Sequence, residues 1–177
     1  MSFMQRFERL WHPQSLKAIA LTVSLAGLVW GLPGAIALPP SAVYAQTYWI
    51  EAWVDDLKQS NQRWIQVDLS RQSLTAWVGN TPVYSVTVST GRSGELTPTG
   101  VFEIQSMHRY ARMQGEDYDI PDVPYTMYYD GNYAIHGTYW HDRFGTPISN
   151  GCINVAQDHA AWLFNWASLG TPVVVQD

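Results

Sequence analysis

The chain has 177 residues, a formal net charge of −5, 14% aromatic residues and a single cysteine. An acidic surface of that kind repels nucleic acid and anionic lipid headgroups, which argues against both as partners. One cysteine cannot form an internal disulfide, so covalent stapling plays no part in the stability of this fold.

In chain order the first feature is charge followed by apolarity. Arg6, Arg9 and Lys17 precede the run Ala18 to Leu32, which carries no charged side chain. Pro33, Pro39 and Pro40 follow, and Val43 and Ala45 are small residues on either side of Tyr44, the pattern of a signal-peptidase site before Gln46. Residues 1–45 therefore read as a secretory signal peptide. The alternative is an uncleaved membrane anchor, because roughly 20 apolar residues span a bilayer. From Gln46 onward seven Lys and Arg stand against fourteen Asp and Glu, a net charge of −7. That length is enough for one domain with a real core and too short for two.

Residues 46–62 read as a leader or linker, with Thr47 to Asn61 either a short helix or loosely packed chain. From Arg63 the pattern changes. Ile65, Val67 and Leu69 alternate with Gln66, Asp68 and Ser70, the period of a strand. "SLTAWV" and "PVYSVTVST" continue as strands joined by Gly79-Asn80, a hairpin connection. "GRSGELTPTG" is too rich in turn residues to be anything but a loop. "VFEIQSMHR" reads as one strand and "RMQGEDYDIPDVP" as a long acidic loop, part of a stretch from Arg109 to Pro124 that could cover a site. "YTMYYDGNYAIHG" reads as a hairpin turned by Asp130-Gly131-Asn132 that delivers His136 near a strand end. In "NVAQDHAAWLFNWASLG" the residues Ala160, Leu163, Phe164 and Ala167 recur at helical spacing, Gly170 is a stop, and Asn154 with Gln157 could form a capping box. "TPVVV" closes the chain as a buried strand. The expected class is mostly β: a small β-sandwich or partly closed barrel of antiparallel hairpins with one main helix in the C-terminal half. The 9 Trp and 10 Tyr suit a β core, or could line a groove for sugars or peptides.

The chemistry concentrates in "AIHGTYWHDRFGTPISNGCINV", where Cys152 follows Gly151 and lies sixteen residues past His136. A lone cysteine can be a small buried hydrophobe. A thiol attacks only as thiolate, and an unperturbed one near pKa ~8.5 is a few per cent ionised at neutral pH. A neighbouring imidazole removes that deficit, so a paired Cys152 is predicted to have a pKa below the free value. Gly151 lets a substrate carbonyl approach the backbone, and the N–H groups of Gly151 and Cys152 could form an oxyanion hole. Together these residues suggest acyl transfer through a thioester.

Here the chain resembles a family, the L,D-transpeptidases of the YkuD (ErfK/YbiS) type. The resemblance covers Arg63 to Asp177 and rests on "VSTGRSGELTPTGVFEI", "AIHG" and "SNGCIN". It implies a catalytic domain over 63–177 with Cys152 as nucleophile and His136 as its base. The Gly137 carbonyl would orient the imidazole, Gly151 would serve the oxyanion hole, and Ser149 and Asn154 would organise the site. Trp140 matches an aromatic near the substrate channel in some members. One position departs: Asn150 stands where most relatives have His. A carboxamide still donates a hydrogen bond there, although it cannot ionise.

The implied function is peptidoglycan remodelling in the periplasm or cell wall, by an exported transferase. Cys152 would attack the bond between the third residue of a stem tetrapeptide and its terminal D-Ala. The acyl group would pass to a second stem's amine as a 3-3 cross-link, to a protein amine, or to water. Stem peptides are the expected partners and carbapenems the expected inhibitors. A carboxypeptidase on the same scaffold and a noncatalytic wall-binding module are the alternatives. No cofactor is required. His108, His141 and His159 lack metal-ligand spacing and a second cysteine, so no metal is expected, and His141 with Asp142 reads as an exposed loop. Arg92 could meet a substrate carboxylate, or be a solvated charge.

Overall fold

Three valines in a row, Val173 to Val175, are completely buried, which requires cover on both faces of their strand. The computed structural model, which describes residues 42–116 and 118–177, supplies it. Strands β1 (Arg63–Asp68), β2 (Ser73–Val78), β3 (Thr81–Thr87), β4 (Gly100–Glu103) and β9 (Pro172–Gln176) form one sheet in the order β3-β2-β1-β9-β4. The valine strand is thus flanked on both sides, parallel to β1 and antiparallel to β4. Strands β5 (Ser106–Gln114), β6 (Asp119–Asp130), β7 (Tyr133–Thr138) and β8 (Ile153–Ala156) form a second sheet in chain order. Helices α1 (Ala42–Gln59) and α2 (Gln157–Trp166) complete the fold.

Alternation along the strands decides what each layer packs. Ile65, Val67, Val173 and Val175 join Met127, Tyr129, Ile135, Ile153 and Leu163 in the main core. Their neighbours Trp64 and Val174 face the other way, against Ile50, Val54 and Leu57 of α1. Trp64 is fully buried, and its indole N–H donates to the Gly79 carbonyl at 2.9 Å, so the large ring leaves no unpaired polar atom. The segment read as leader or helix is therefore a helix that covers a sheet face. The Ala45–Gln46 bond lies within α1, while the rest of the segment read as a signal peptide, before Ala42, lies outside the described residues. Among the described residues no helix is long and apolar enough to cross a membrane.

The mostly β reading holds, with two open sheets rather than a closed barrel and with two parallel pairings among the antiparallel ones. Other expectations change. "VFEIQSMHR" is two strands in different sheets, because the chain crosses over at Ile104 and Gln105. The first bonds back to Thr171 and the second to Tyr128. The acidic loop is the end of the β5–β6 hairpin, tied by the guanidinium of Arg112 donating to the Asp119 carboxylate at 2.7 Å. Asn154 does not cap a helix. It belongs to β8, and α2 begins after Ala156 with no side-chain cap.

Candidate active site

Parallel pairing of β7 with β8 sets His136 beside Asn154 and Ile135 beside Ile153. Residues of one parity share a face of a sheet. Cys152, the residue just before β8, therefore projects to the same side as Asn154 and His136. All three line a cavity of about 410 Å³, together with Arg92, Trp140, Ser149 and Asn150 from the predicted set. His141 and Arg143 line it too, as do Met113, Tyr118 and Ile120 of the β5–β6 hairpin and its turn. That hairpin is a wall of the site, which its acidic composition concealed.

The loop carrying Cys152 is held from two sides. Ser149 Oγ donates to the Cys152 carbonyl at 2.6 Å and accepts the Gly151 N–H at 3.1 Å. The Thr97 hydroxyl donates to the Gly151 carbonyl at 2.8 Å and accepts the Gly91 N–H at 2.9 Å. Asn154 exchanges backbone bonds with Ser89, and Ile148 and Ser149 donate to the Thr90 carbonyl. The loop "GRSGELTPTG" and the residues before it thus clamp the cysteine segment. Gly151 has φ +101°, and a Cβ there would sit 2.5 Å from the Tyr133 ring, so glycine is demanded by backbone conformation and by packing. Its N–H, expected as an oxyanion donor, is engaged by Ser149. Gly137 has a different reason: a Cβ there would meet Pro124 at 3.0 Å and Ala160 at 3.3 Å, where β6 and α2 close on β7.

His136 is buried, and its Nδ1 lies 3.0 Å from the Gly137 carbonyl. A carbonyl only accepts, so Nδ1 carries the proton and Nε2 presents a lone pair. Burial drives the ring's pKa down to about 4, opposed by the Gly137 hydrogen bond and aided by His141. Cys152 is half-buried against the cluster of Met113, Val123 and Ala134, which Tyr118, Ile120 and Tyr128 also flank. Its thiol lies 3.7 Å from the Asn132 carbonyl and makes no hydrogen bond to His136. Loss of water pushes the thiol pKa up, and a hydrogen bond to the Ala134 backbone only partly offsets this. The expectation of a lowered thiol pKa is corrected accordingly. It assumed a cationic or closely bonded imidazole, whereas the thiol stands in an apolar wall and the imidazole is neutral.

The remaining predicted residues divide. Asn150 is exposed at the cavity's edge. Trp140 lies 5.7 Å from the His136 ring, centroid to centroid. Arg92 lines the cavity while paired with Glu95 at 2.9 Å. His141, read as exposed loop, is half-buried: Asn154 lies 2.9 Å from its Nε2. His159 accepts or donates a 2.6 Å bond with the Tyr84 hydroxyl, away from the cavity lining. No cluster of three or more His, Cys, Asp or Glu suited to a metal occurs among the described residues.

The His136 environment has a consequence for stability. With a folded pKa of about 4 against an ordinary 6.5, the unfolded chain binds the extra proton first as pH falls through that window. Stability is then lost on acidification, by up to about 3 kcal/mol for this one ring. Urea unfolding of wild type and His136→Gln at pH 7 and pH 4 is expected to show the larger loss in wild type. Equal losses would contradict it.

Comparison with known proteins places this geometry. Residues 62–175 match the YkuD family, described as the L,D-transpeptidase catalytic domain. The chain is 34% identical over 106 residues to YqjB of Bacillus subtilis (strain 168), which covers 54% of this chain and 59% of YqjB. The catalytic domain of the Enterococcus faecium L,D-transpeptidase superimposes with a TM-score of 0.60 at 28% identity, over 66% of this chain and 98% of that one. L,D-transpeptidase 3 from Mycobacterium tuberculosis, in complex with a faropenem-derived adduct, shares the fold with a TM-score of 0.60 at 22% identity, over 65% of this chain and 60% of that one. The chain thus spans less than two thirds of the length of YqjB and of the mycobacterial protein. With the family's sequence pattern over most of its length, and with its cysteine and histidine facing one cavity, the chain belongs to the YkuD family of L,D-transpeptidase catalytic domains.

Proposed function

We propose that the protein is a peptidoglycan L,D-transpeptidase that forms a thioester on Cys152. The observation carrying this reading is that Cys152 and a neutral His136 with its Nε2 lone pair available line the same cavity. The step requires the sulfur to leave the Asn132 carbonyl for the imidazole. Nε2 accepts the thiol proton as sulfur bonds to the carbonyl carbon of the donor peptide. The tetrahedral oxyanion collapses, the C–N bond breaks, and D-Ala leaves as an amine carrying the proton that His136 held. An acceptor amine then attacks the thioester, gives its proton to Nε2, and the thiol is restored when that proton returns to sulfur. Donors for the oxyanion come from the Cys152 N–H and from Gly151 once Ser149 releases it, with Asn150 and Asn154 at hand.

A resting pair that is neutral on both sides suits an enzyme whose thiol must wait for an acyl donor. The apolar wall around Cys152 disfavours the thiolate until a substrate carbonyl draws the charge away. Faropenem-type inhibitors follow from the same chemistry, since a strained lactam carbonyl is an acyl donor with no separate leaving group. Incubation with faropenem or a carbapenem is expected to add one inhibitor-derived mass to the intact protein. Cys152→Ala should abolish the adduct, and His136→Gln should slow its formation by about 10² to 10⁴-fold. With tetrapeptide stems and excess amine acceptor, wild type should release D-Ala and accumulate cross-linked product. An unmodified intact mass overturns the reading, and tripeptide as sole product makes the protein a carboxypeptidase.

Export to the periplasm or cell wall is part of this proposal, supported by the charged and then apolar N-terminal sequence. N-terminal sequencing of protein recovered from the cell envelope reads the outcome: a Gln46 start for a cleaved signal, a Met1 start for an anchor. Recovery from the cytosol alone overturns export.

A further inference from the structure

His141 and Asn154 meet at the cavity, and Ser89 ties together the two segments that carry them. The Ser89 hydroxyl donates to the Arg143 carbonyl at 2.9 Å, and its backbone exchanges two bonds with that of Asn154. The loop bearing the imidazole and the strand bearing the amide are therefore fixed to one residue. Aromatic rings confine the imidazole further, with centroids of Phe144 at 5.3 Å and Trp140 at 6.4 Å. Asn154 is itself buried and is the register partner of His136.

The protons in this contact are set by elimination. The Arg143 backbone N–H donates to His141 Nδ1 at 3.3 Å, so that nitrogen carries no proton. A neutral imidazole then has its proton on Nε2, and that N–H requires an acceptor. Asn154 Nδ2 lies 2.9 Å from Nε2, which would set two donors face to face, so the amide is to be turned over to bring its only acceptor, Oδ1, to Nε2. The two ends of a carboxamide are told apart by their partners. The oxygen then faces His141, and both N–H bonds of Asn154 are left for other partners in the cavity that Asn154 lines.

We propose that His141 is a positioning residue of the transfer site: through this relay it holds the Asn154 amide as a hydrogen-bond donor for an oxygen of the acyl donor. The cavity then has two imidazoles with divided duties, His136 handling the proton and His141 orienting a neutral donor. This also bears on Asn150. The second imidazole, absent at that position, enters the cavity from the loop five residues after His136. The proposal rests on the reading of Cys152 as the acylated residue, but the relay itself is a property of the resting protein.

The test uses the full chain labelled with ¹⁵N at pH 8, where His141 is neutral because burial and Arg143 lower its pKa from the ordinary 6.5. Ring ¹⁵N shifts are expected to show the Nε2–H tautomer. His141→Phe is expected to move the Asn154 side-chain amide resonances and to slow faropenem acylation about tenfold. His141→Gln, whose amide can still donate to Asn154, should recover most of that rate and return the Asn154 resonances toward wild type. An Nδ1–H tautomer, or His141→Phe acylating at the wild-type rate, overturns the proposal. Should His141→Phe fail to fold, the wild-type tautomer and the Gln variant still decide it. A wild-type protein with the Nε2–H tautomer but no adduct supports the relay and overturns the acylation reading instead.

Discussion

Everything in the site depends on one pairing, the parallel register of β7 on β8. It joins two strands separated by the Tyr139 to Cys152 segment, and it is the reason that a histidine and a cysteine sixteen residues apart open on the same cavity. Parallel strands cannot be joined by a tight turn, so the connecting segment has to travel. Here it folds across the end of the sheet and bonds to Val88, Ser89 and Thr90. The same connection that the topology requires therefore supplies Trp140, His141, Arg143, Ser149 and Asn150 to the cavity. Gly137 belongs to the same constraint, since a side chain at that position would push β7 away from Pro124 and α2.

Burial then determines the chemistry. His136 is dry enough to remain neutral near neutral pH, and its single backbone bond selects the tautomer that leaves Nε2 open. The half-buried thiol stands against the apolar cluster of Met113, Val123 and Ala134, with no ion-pair partner among the described residues. Charge on either group is unfavourable at rest, so the proposed thioester chemistry calls for general-base activation on substrate binding rather than a standing thiolate–imidazolium pair. The polar groups that are held firmly lie around this pair. Ser149, Thr97 and Ser89 satisfy the backbone of the cysteine loop, so that the loop's geometry does not rely on the thiol or the imidazole.

How much of this was legible in the sequence follows from where each signal resides. That Cys152 and His136 share a cavity could be expected because a lone thiol after a glycine, with a histidine upstream, is a local pattern. Strands β1 and β2 were readable because their main-core residues, Ile65 and Val67, then Leu74 and Ala76, recur at every second position. The β5–β6 hairpin was not, because most of β5 lies at the surface and carries no apolar stripe to betray it. Asn154 suits a helix cap and a strand about equally on local grounds, and only its bonds to Ser89 across the fold decide. His141 stood in a polar loop whose attachment to Ser89 and Val88 has no sequence signature. The thiol pKa was misjudged for a related reason: proximity to an imidazole could be inferred, whereas an apolar wall built from the distant residues Met113, Tyr118 and Ile120 could not.

Because Cys152 is the only cysteine, the ultraviolet absorbance of wild type minus that of Cys152→Ala, which cancels the tyrosines, reports on its thiolate alone. A pH titration of that difference tests the central claim of a neutral thiol beside a neutral His136. The account predicts no thiolate at pH 7 and a midpoint above the free thiol value of ~8.5. A thiolate already present at pH 7, and lost on His136→Ala, would contradict it.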